Sequence, residues 1–278
     1  MAIKRLEDKN KPRLLELYTA VQSEGSRQGY PTIVLRTSGC THRCFFGEGG
    51  WCDSWYTSIH PEKALYNFNQ VEEMYNNNPH ISEMMLTGGS PTMHPDLVNE
   101  LTHLAHERGI FITIETEGSH YLETDYPINL LSISPKFSNS VPVLGALTPQ
   151  GKVTDEKMIK QHNKFRLHLD NIANSIKYHS DFHLKPVIDK DLNIVGEVEE
   201  FIENLAKKLV EIEYKPKQFP TAEDMVVYLK SKTWLMPAGD TRESLMQSYG
   251  PVMDLARDKG YKFTGRAHII AFNDQREV

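Results

Sequence analysis

Thr32-Ile33-Val34-Leu35-Arg36 is a β-branched, apolar run that ends on a charge, and Cys40-Thr41-His42-Arg43-Cys44 follows it directly. A strand that runs straight into a cysteine loop decides how the rest of the chain is read. Cys52 is the third cysteine and the last of the 278-residue chain, so all its thiols fall within thirteen residues. Soft thiolates this close together suit a zinc ion or an iron–sulfur cluster. Three cysteines leave one iron of a four-iron cluster free. Alternatively, Cys40, His42, Cys44 and Cys52 close a structural zinc site, or the thiols are buried without a shared task. The loop by itself leaves all three readings open.

A second strand-like run, Ile81 to Leu86, leads into Thr87-Gly88-Gly89-Ser90-Pro91 and then a helix from about Asp96. Two glycines at the carboxyl end of a strand let the backbone approach a ligand, and the helix N–H groups beyond favour anionic groups. Further strands are expected at Ile110 to Glu115, Ile128 to Ser132, His183 to Ile188 and Thr233 to Met236. Helices are expected at Asn69 to Asn77, Pro95 to Arg108, Asp155 to Ser175, Gly196 to Val210 and Arg242 to Lys259. Strand followed by helix, repeated, predicts an α/β fold. Its parallel strands curl into a partial or complete TIM-type barrel with ligands at their carboxyl ends. No linker or repeat divides the chain, so residues 1–278 read as one domain, with 138–152 and 214–223 as insertions at the active face or the rim.

Composition excludes several classes. With 39% hydrophobic and 24% charged residues the chain is globular, not disordered. A net charge of -6 speaks against a nonspecific nucleic-acid surface, and Lys152, Lys157, Lys160, Lys164 and Arg166 read as a solvated helix face. No apolar stretch reaches membrane-spanning length and no apolar signal core follows Met1, so no membrane partner and a reducing, cytoplasmic location are expected. A Gly-x-Ser-x-Gly elbow is absent, which removes the α/β-hydrolase reading. His103 and His106, three apart on a helix, read as surface residues.

Taken together, the cysteine loop and the Gly-Gly turn resemble the radical S-adenosylmethionine superfamily, and more closely the 7-carboxy-7-deazaguanine synthases. Four more segments carry that resemblance: Gln22-Ser23-Glu24-Gly25, Arg36, Ile114-Glu115-Thr116-Glu117-Gly118, and Ser134-Pro135-Lys136. Arg266-Ala267-His268-Ile269-Ile270 resembles the family's closing strand. The resemblance implies a [4Fe–4S] cluster on Cys40, Cys44 and Cys52, and S-adenosylmethionine held by Trp51, Asp53, Gly88, Gly89, Ser90, Glu115, Glu117, Ser134, Pro135, Lys136, Met236 and Pro237. It implies a pterin substrate read by Val21, Gln22, Ser23, Glu24, Arg36 and Thr87, and Mg²⁺ on Ser54. The implied reaction converts 6-carboxy-5,6,7,8-tetrahydropterin to 7-carboxy-7-deazaguanine by a 5′-deoxyadenosyl radical. A flavodoxin or ferredoxin donor and a homodimer accompany it.

Three departures from the family pattern are visible. Seven residues separate Cys44 from Cys52, the Gly-Gly-Glu turn has become Gly-Gly-Ser, and Gln-Gly-Glu-Gly appears as Gln22-Ser23-Glu24-Gly25; Met236-Pro237 resembles the family's Gln-Pro turn with the glutamine replaced. Ser90 therefore lacks the carboxylate expected to meet the amino group of S-adenosylmethionine, and restoring Glu at position 90 is expected to maintain or tighten binding. A glycyl-radical-enzyme activase and a zinc-stabilised binding module are the competing readings.

Overall fold

Five parallel strands form the frame of the molecule, a computed structural model that describes residues 9–214, 219 and 221–278. They are β2 (Pro31–Thr37), β3 (Glu83–Gly88), β4 (Phe111–Thr116), β5 (Leu130–Ile133) and β6 (Phe182–Leu184), hydrogen-bonded in that order. β1 (Glu16–Val21) adds an antiparallel edge to β2, with Glu16 opposite Arg36. The helices between strands are α1 (Trp55–Ser58), α2 (Phe68–Asn77), α3 (Pro95–Arg108), α4 (Glu156–Phe165) and α5 (Leu169–Tyr178). A second parallel sheet follows, of β7 (Val187–Ile188), β8 (Trp234–Pro237) and β9 (Lys262–Phe263). With it come α6 (Val195–Glu211), α7 (Ala222–Ser231), α8 (Arg242–Lys259) and α9 (Ala267–Phe272).

The break between the sheets lies at Pro186, which has no N–H to continue a ladder, so the run expected from His183 to Ile188 becomes two strands. A single bridge, Leu184 to Thr233, connects them. The barrel does not close. Among the described residues no strand pairing joins β9 to β1, and isolated bonds span the gap, from Ala267 N–H to Ser23 O at 3.2 Å and from Gly25 N–H to the Thr264 hydroxyl at 2.7 Å.

Strand alternation then divides the residues. Ile33 and Leu35, Met84 and Leu86, Ile112 and Ile114, and Leu131 and Ile133 all join one buried core with the helices. Their neighbours Val34 and Arg36, Met85 and Thr87, Glu115, and Ser132 face the other way and line a cavity. Arg36, Thr87, Glu115 and Ser132 are thus polar strand residues turned to the cavity, whereas Glu83 is buried against Gln22 and Arg27.

Several expectations are corrected. Residues 266–270 are not a closing strand: α9 begins at Ala267, and the carbonyl of Arg266 accepts the N–H of Ile270 at 3.1 Å. The helix expected from Asp155 to Ser175 is two helices, broken at Leu167, whose φ of 56° no helix accommodates. β1 and β9 were not anticipated. Of the loop expected at 214–223, residues 215–218 and 220 lie outside the described residues, and Ala222 already begins α7.

Candidate functional site

The seven residues between Cys44 and Cys52 fold into a hairpin that returns Cys52 to the side of Cys44. Phe45 bridges Trp51, the two rings lie 4.8 Å apart, and the Cys52 N–H bonds the Cys44 carbonyl at 3.0 Å. The Trp51 indole N–H bonds the Leu147 carbonyl at 3.0 Å, and the Phe45 N–H bonds that of Ser140 at 2.9 Å, so segment 138–152 buttresses the cysteine loop. Gly88 and Gly89 dock against the same loop from β3. A Cβ on Gly88, at φ 127°, would lie 2.3 Å from the Thr37 carbonyl oxygen, and one on Gly89 would lie 2.0 Å from that of Gly39. The Ser90 N–H closes the junction on the Gly39 carbonyl at 2.8 Å.

All three thiols are free and line one cavity of about 510 Å³. Burial raises each of them, Cys44 to about 11, with Glu117 adding to the rise at Cys40 and Asp53 at Cys52. Such thiols ionise only on a strongly cationic partner, which is what an iron–sulfur cluster supplies. Among the described residues no three His, Cys, Asp or Glu side chains converge on a point where one metal ion would sit. The closed zinc set of Cys40, His42, Cys44 and Cys52 is therefore not assembled. His42 turns its Nδ1 to the Thr41 hydroxyl at 3.1 Å and packs edge-on against His162.

The opposite wall is a charged network. Lys185, at the end of β6, bonds Glu24 at 2.6 Å and Glu115 at 2.5 Å. Arg266 bonds Glu24 at 3.0 Å and also holds Asp53 and the Gly239 carbonyl. Burial alone would raise Glu24, but Lys185 and Arg266 overcome it and hold the carboxyl at about 2; Arg266 likewise holds Asp53 well below the usual carboxylate range. His268 lines the same wall. The chain's last residues cross the mouth, where Arg276 bonds Glu16 at 2.6 Å and Glu62 at 3.2 Å.

Most of the residues singled out in the sequence meet here. Val21, Ser23, Glu24, Arg36, Thr87, Glu115, Glu117, Ser134, Lys136, Met236, Trp51, Asp53 and Ser54 line the cavity with the cysteines and both glycines. Four do not. Gln22 is turned away and bonds Glu83 at 3.0 Å. Pro135 packs behind the sheet with Phe137 and Leu184, Pro237 pairs with Ile188 in the second sheet, and Ser90 is completely buried. Arg36 directs its Nε to Glu16 at 2.5 Å and one terminal nitrogen to the Ser54 hydroxyl at 2.8 Å. Thr87 donates to Glu115 at 2.8 Å, and Lys136 to Ser134 at 2.6 Å. Lys185, Arg266 and His268 were missed. A lysine before proline in an apolar strand was the available signal, since a buried lysine needs partners.

A protein of Halobacterium salinarum named 7-carboxy-7-deazaguanine synthase is 32% identical to this chain over 263 residues, covering 95% of the chain and 91% of the relative. The chain belongs to the 7-carboxy-7-deazaguanine synthase family. A Rhodopirellula baltica member of the same name is 28% identical, covering 94% of the chain and 86% of that protein. The fold of this chain is similar to that of the crystal structure of QueE from Escherichia coli. It superposes with a TM-score of 0.52 at 16% identity, over 91% of this chain and 93% of the other. No family model matches the chain. This chain is an enzyme of the synthase family, and among its described residues no helix is long and apolar enough to cross a membrane.

Proposed function

We propose that this synthase-family chain is a radical S-adenosylmethionine lyase that converts 6-carboxy-5,6,7,8-tetrahydropterin to 7-carboxy-7-deazaguanine with loss of ammonia. One observation carries the reading: Cys40, Cys44 and Cys52 meet the Gly88-Gly89 turn at a cavity whose far wall is charged. The donor set fits a [4Fe–4S] cluster with one iron open to S-adenosylmethionine, and the pair, when bound, supplies a carbon-centred radical.

The chain's residues bind and orient. Gly88 and Gly89 let the cofactor approach the backbone, while Glu115, Glu117, Ser134, Lys136 and Met236, with Trp51 and Asp53, flank it. Glu24, ionised at neutral pH, accepts N–H groups from the pterin edge, with Val21, Ser23 and Thr87 beside it. The substrate carboxylate meets a wall that carries Arg36, Lys185 and Arg266. Ser54 lines the cavity, and its hydroxyl, which accepts one bond from the Arg36 guanidinium, would offer Mg²⁺ its remaining lone pair. We assign no step to that ion. The site draws on β1 and on the turn before α9 alike, which supports reading residues 1–278 as one unit.

The test is anaerobic turnover of 6-carboxytetrahydropterin with dithionite, the product followed by mass. A fully cluster-loaded protein that forms 5′-deoxyadenosine and never 7-carboxy-7-deazaguanine overturns the assignment. The glycyl-radical-enzyme activase reading would call for a docking face for a protein backbone, and the converging Glu24, Lys185 and Arg266 suit a small charged substrate better.

A further inference from the structure

Ser90 stands at the end of the Gly-Gly turn, yet its side chain has no cavity surface. It is completely buried, and its hydroxyl donates to Glu117 Oε1 at 2.7 Å. Glu117, just past the end of β4, does line the cavity, beside Gly88, Gly89 and Cys40. It is only 6% exposed. Its first oxygen also has the Thr41 hydroxyl at 3.5 Å and His42 Nδ1 at 3.9 Å. Its second oxygen, Oε2, is buried with no hydrogen-bond partner among the described residues. No lysine or arginine there pairs with it.

A buried carboxylate oxygen left unbonded costs about 1–3 kcal/mol or more, so this position calls for a donor from outside the chain. Thr41 follows Cys40 directly, which sets Glu117 at the cysteine end of the cavity. The inference rests on the reading that this end takes S-adenosylmethionine. Its sulfonium carries no N–H donor, whereas its α-amino nitrogen, which would ligate the open iron as a neutral amine, keeps N–H donors that the iron would polarise. Ribose hydroxyls and the adenine amino group have no metal ion to polarise them and make weaker bonds to a carboxylate.

We propose that Glu117 Oε2 accepts an N–H of the α-amino group of the methionyl part, with Ser90 as a positioning residue whose hydroxyl fixes the carboxylate through Oε1. The carboxylate missing from the Gly-Gly-Ser turn is thereby supplied by the neighbouring strand. This reverses the expectation that a glutamate at position 90 would be harmless or helpful. Ser90→Glu sets a second carboxylate against Glu117 in a buried space, where like charges repel.

The experiment is anaerobic calorimetry on cluster-loaded protein, with iron content and absorbance matched across variants. Two ligands are used: S-adenosylmethionine and its analogue lacking the α-amino group. Glu117→Gln should weaken S-adenosylmethionine by at least about tenfold and leave the analogue within about twofold, as loss of a charge-assisted bond predicts. Ser90→Glu alone should also weaken S-adenosylmethionine. The exchange Ser90→Glu with Glu117→Ser should recover most of that loss, since one carboxylate is then again present. Equal affinity of wild type and Glu117→Gln for S-adenosylmethionine overturns the proposal, as does an equal loss for both ligands, which marks a purely structural role. Should Glu117→Gln fail to load its cluster, the Ser90→Glu and exchanged variants decide: tighter binding by Ser90→Glu overturns the proposal. A wild-type protein that is loaded with cluster and binds no S-adenosylmethionine overturns both this assignment and the reading beneath it.

Discussion

Lys185 is 3% exposed and touches two carboxylates, so its charge is committed to the site's interior. Replacing it with methionine leaves Glu115 without a counter-ion beside Glu24, which keeps only Arg266. Breaking a buried pair in this way costs about 3–5 kcal/mol, because the remaining charge is stranded. Urea unfolding of Lys185→Met should show a loss of that order, and adding Glu115→Gln should return part of it. Cys52 presents the reverse case. It sits at the cavity, half-buried, on a hairpin closed by backbone bonds that do not involve its sulfur. Cys52→Ala should therefore abolish four-iron loading while circular dichroism stays that of the wild type; a variant that still loads four irons would overturn the three-cysteine assignment. At this scale sequence reading succeeded wherever a residue type was rare and closely spaced, as with the cysteines and Gly88-Gly89. It failed for Gln22, because the direction of a side chain depends on partners such as Glu83 that lie far away in the chain.

Elements were legible in proportion to how local their signal is. β2 through β5 were read within a few residues, since β-branched and apolar runs between turns need little context. β1 was not. Leu-Tyr-Thr-Ala-Val is only partly apolar, and it is a strand because β2 lends it an antiparallel partner. Arg266-Ala267-His268-Ile269-Ile270 illustrates the opposite error, for an apolar pair suited to a strand coils once Arg266 is anchored on Glu24 and Asp53. The Gly-Gly turn supports a prediction of its own. Gly89→Ala would force a methyl group into the Gly39 carbonyl, and a backbone obstruction cannot swing aside as a side-chain end would. We expect about 1–3 kcal/mol of destabilisation together with poorer cluster retention, read by unfolding and by iron content after anaerobic gel filtration.

For the molecule as a whole, acid sensitivity follows from imidazoles sealed inside. His183 on β6 is held by the Ser26 hydroxyl at 3.0 Å and the Ser132 hydroxyl at 2.7 Å. Burial first, and then Lys185, lower it to about 3, against the opposing pull of Glu24. Between about 6.5 and about 3 the unfolded chain takes up a proton that the folded chain refuses. Stability thus holds above pH 6.5 and falls as pH drops, by about 1.4 kcal/mol per pH unit from this residue. His183→Asn should give a shallower decline of the unfolding free energy across that window than the wild type shows; an unchanged slope would mean that His183 does not contribute.

Pro186 has a further consequence at this scale. It separates β2–β6, with long paired registers, from β7 and β9, which have two residues each and depend on the Leu184 to Thr233 bridge for continuity. In the language of amide exchange, the molecule then has two protection classes. Deuterium should enter Val187, Ile188, Leu235 and Phe263 through a shallow opening, while Val34, Met85 and Ile114 exchange only when the whole chain unfolds. The S-adenosylmethionine end of the cavity would stand on the slow half, and the wall closed by Arg266 on the fast one, so the pocket has a permanent floor and a side that breathes.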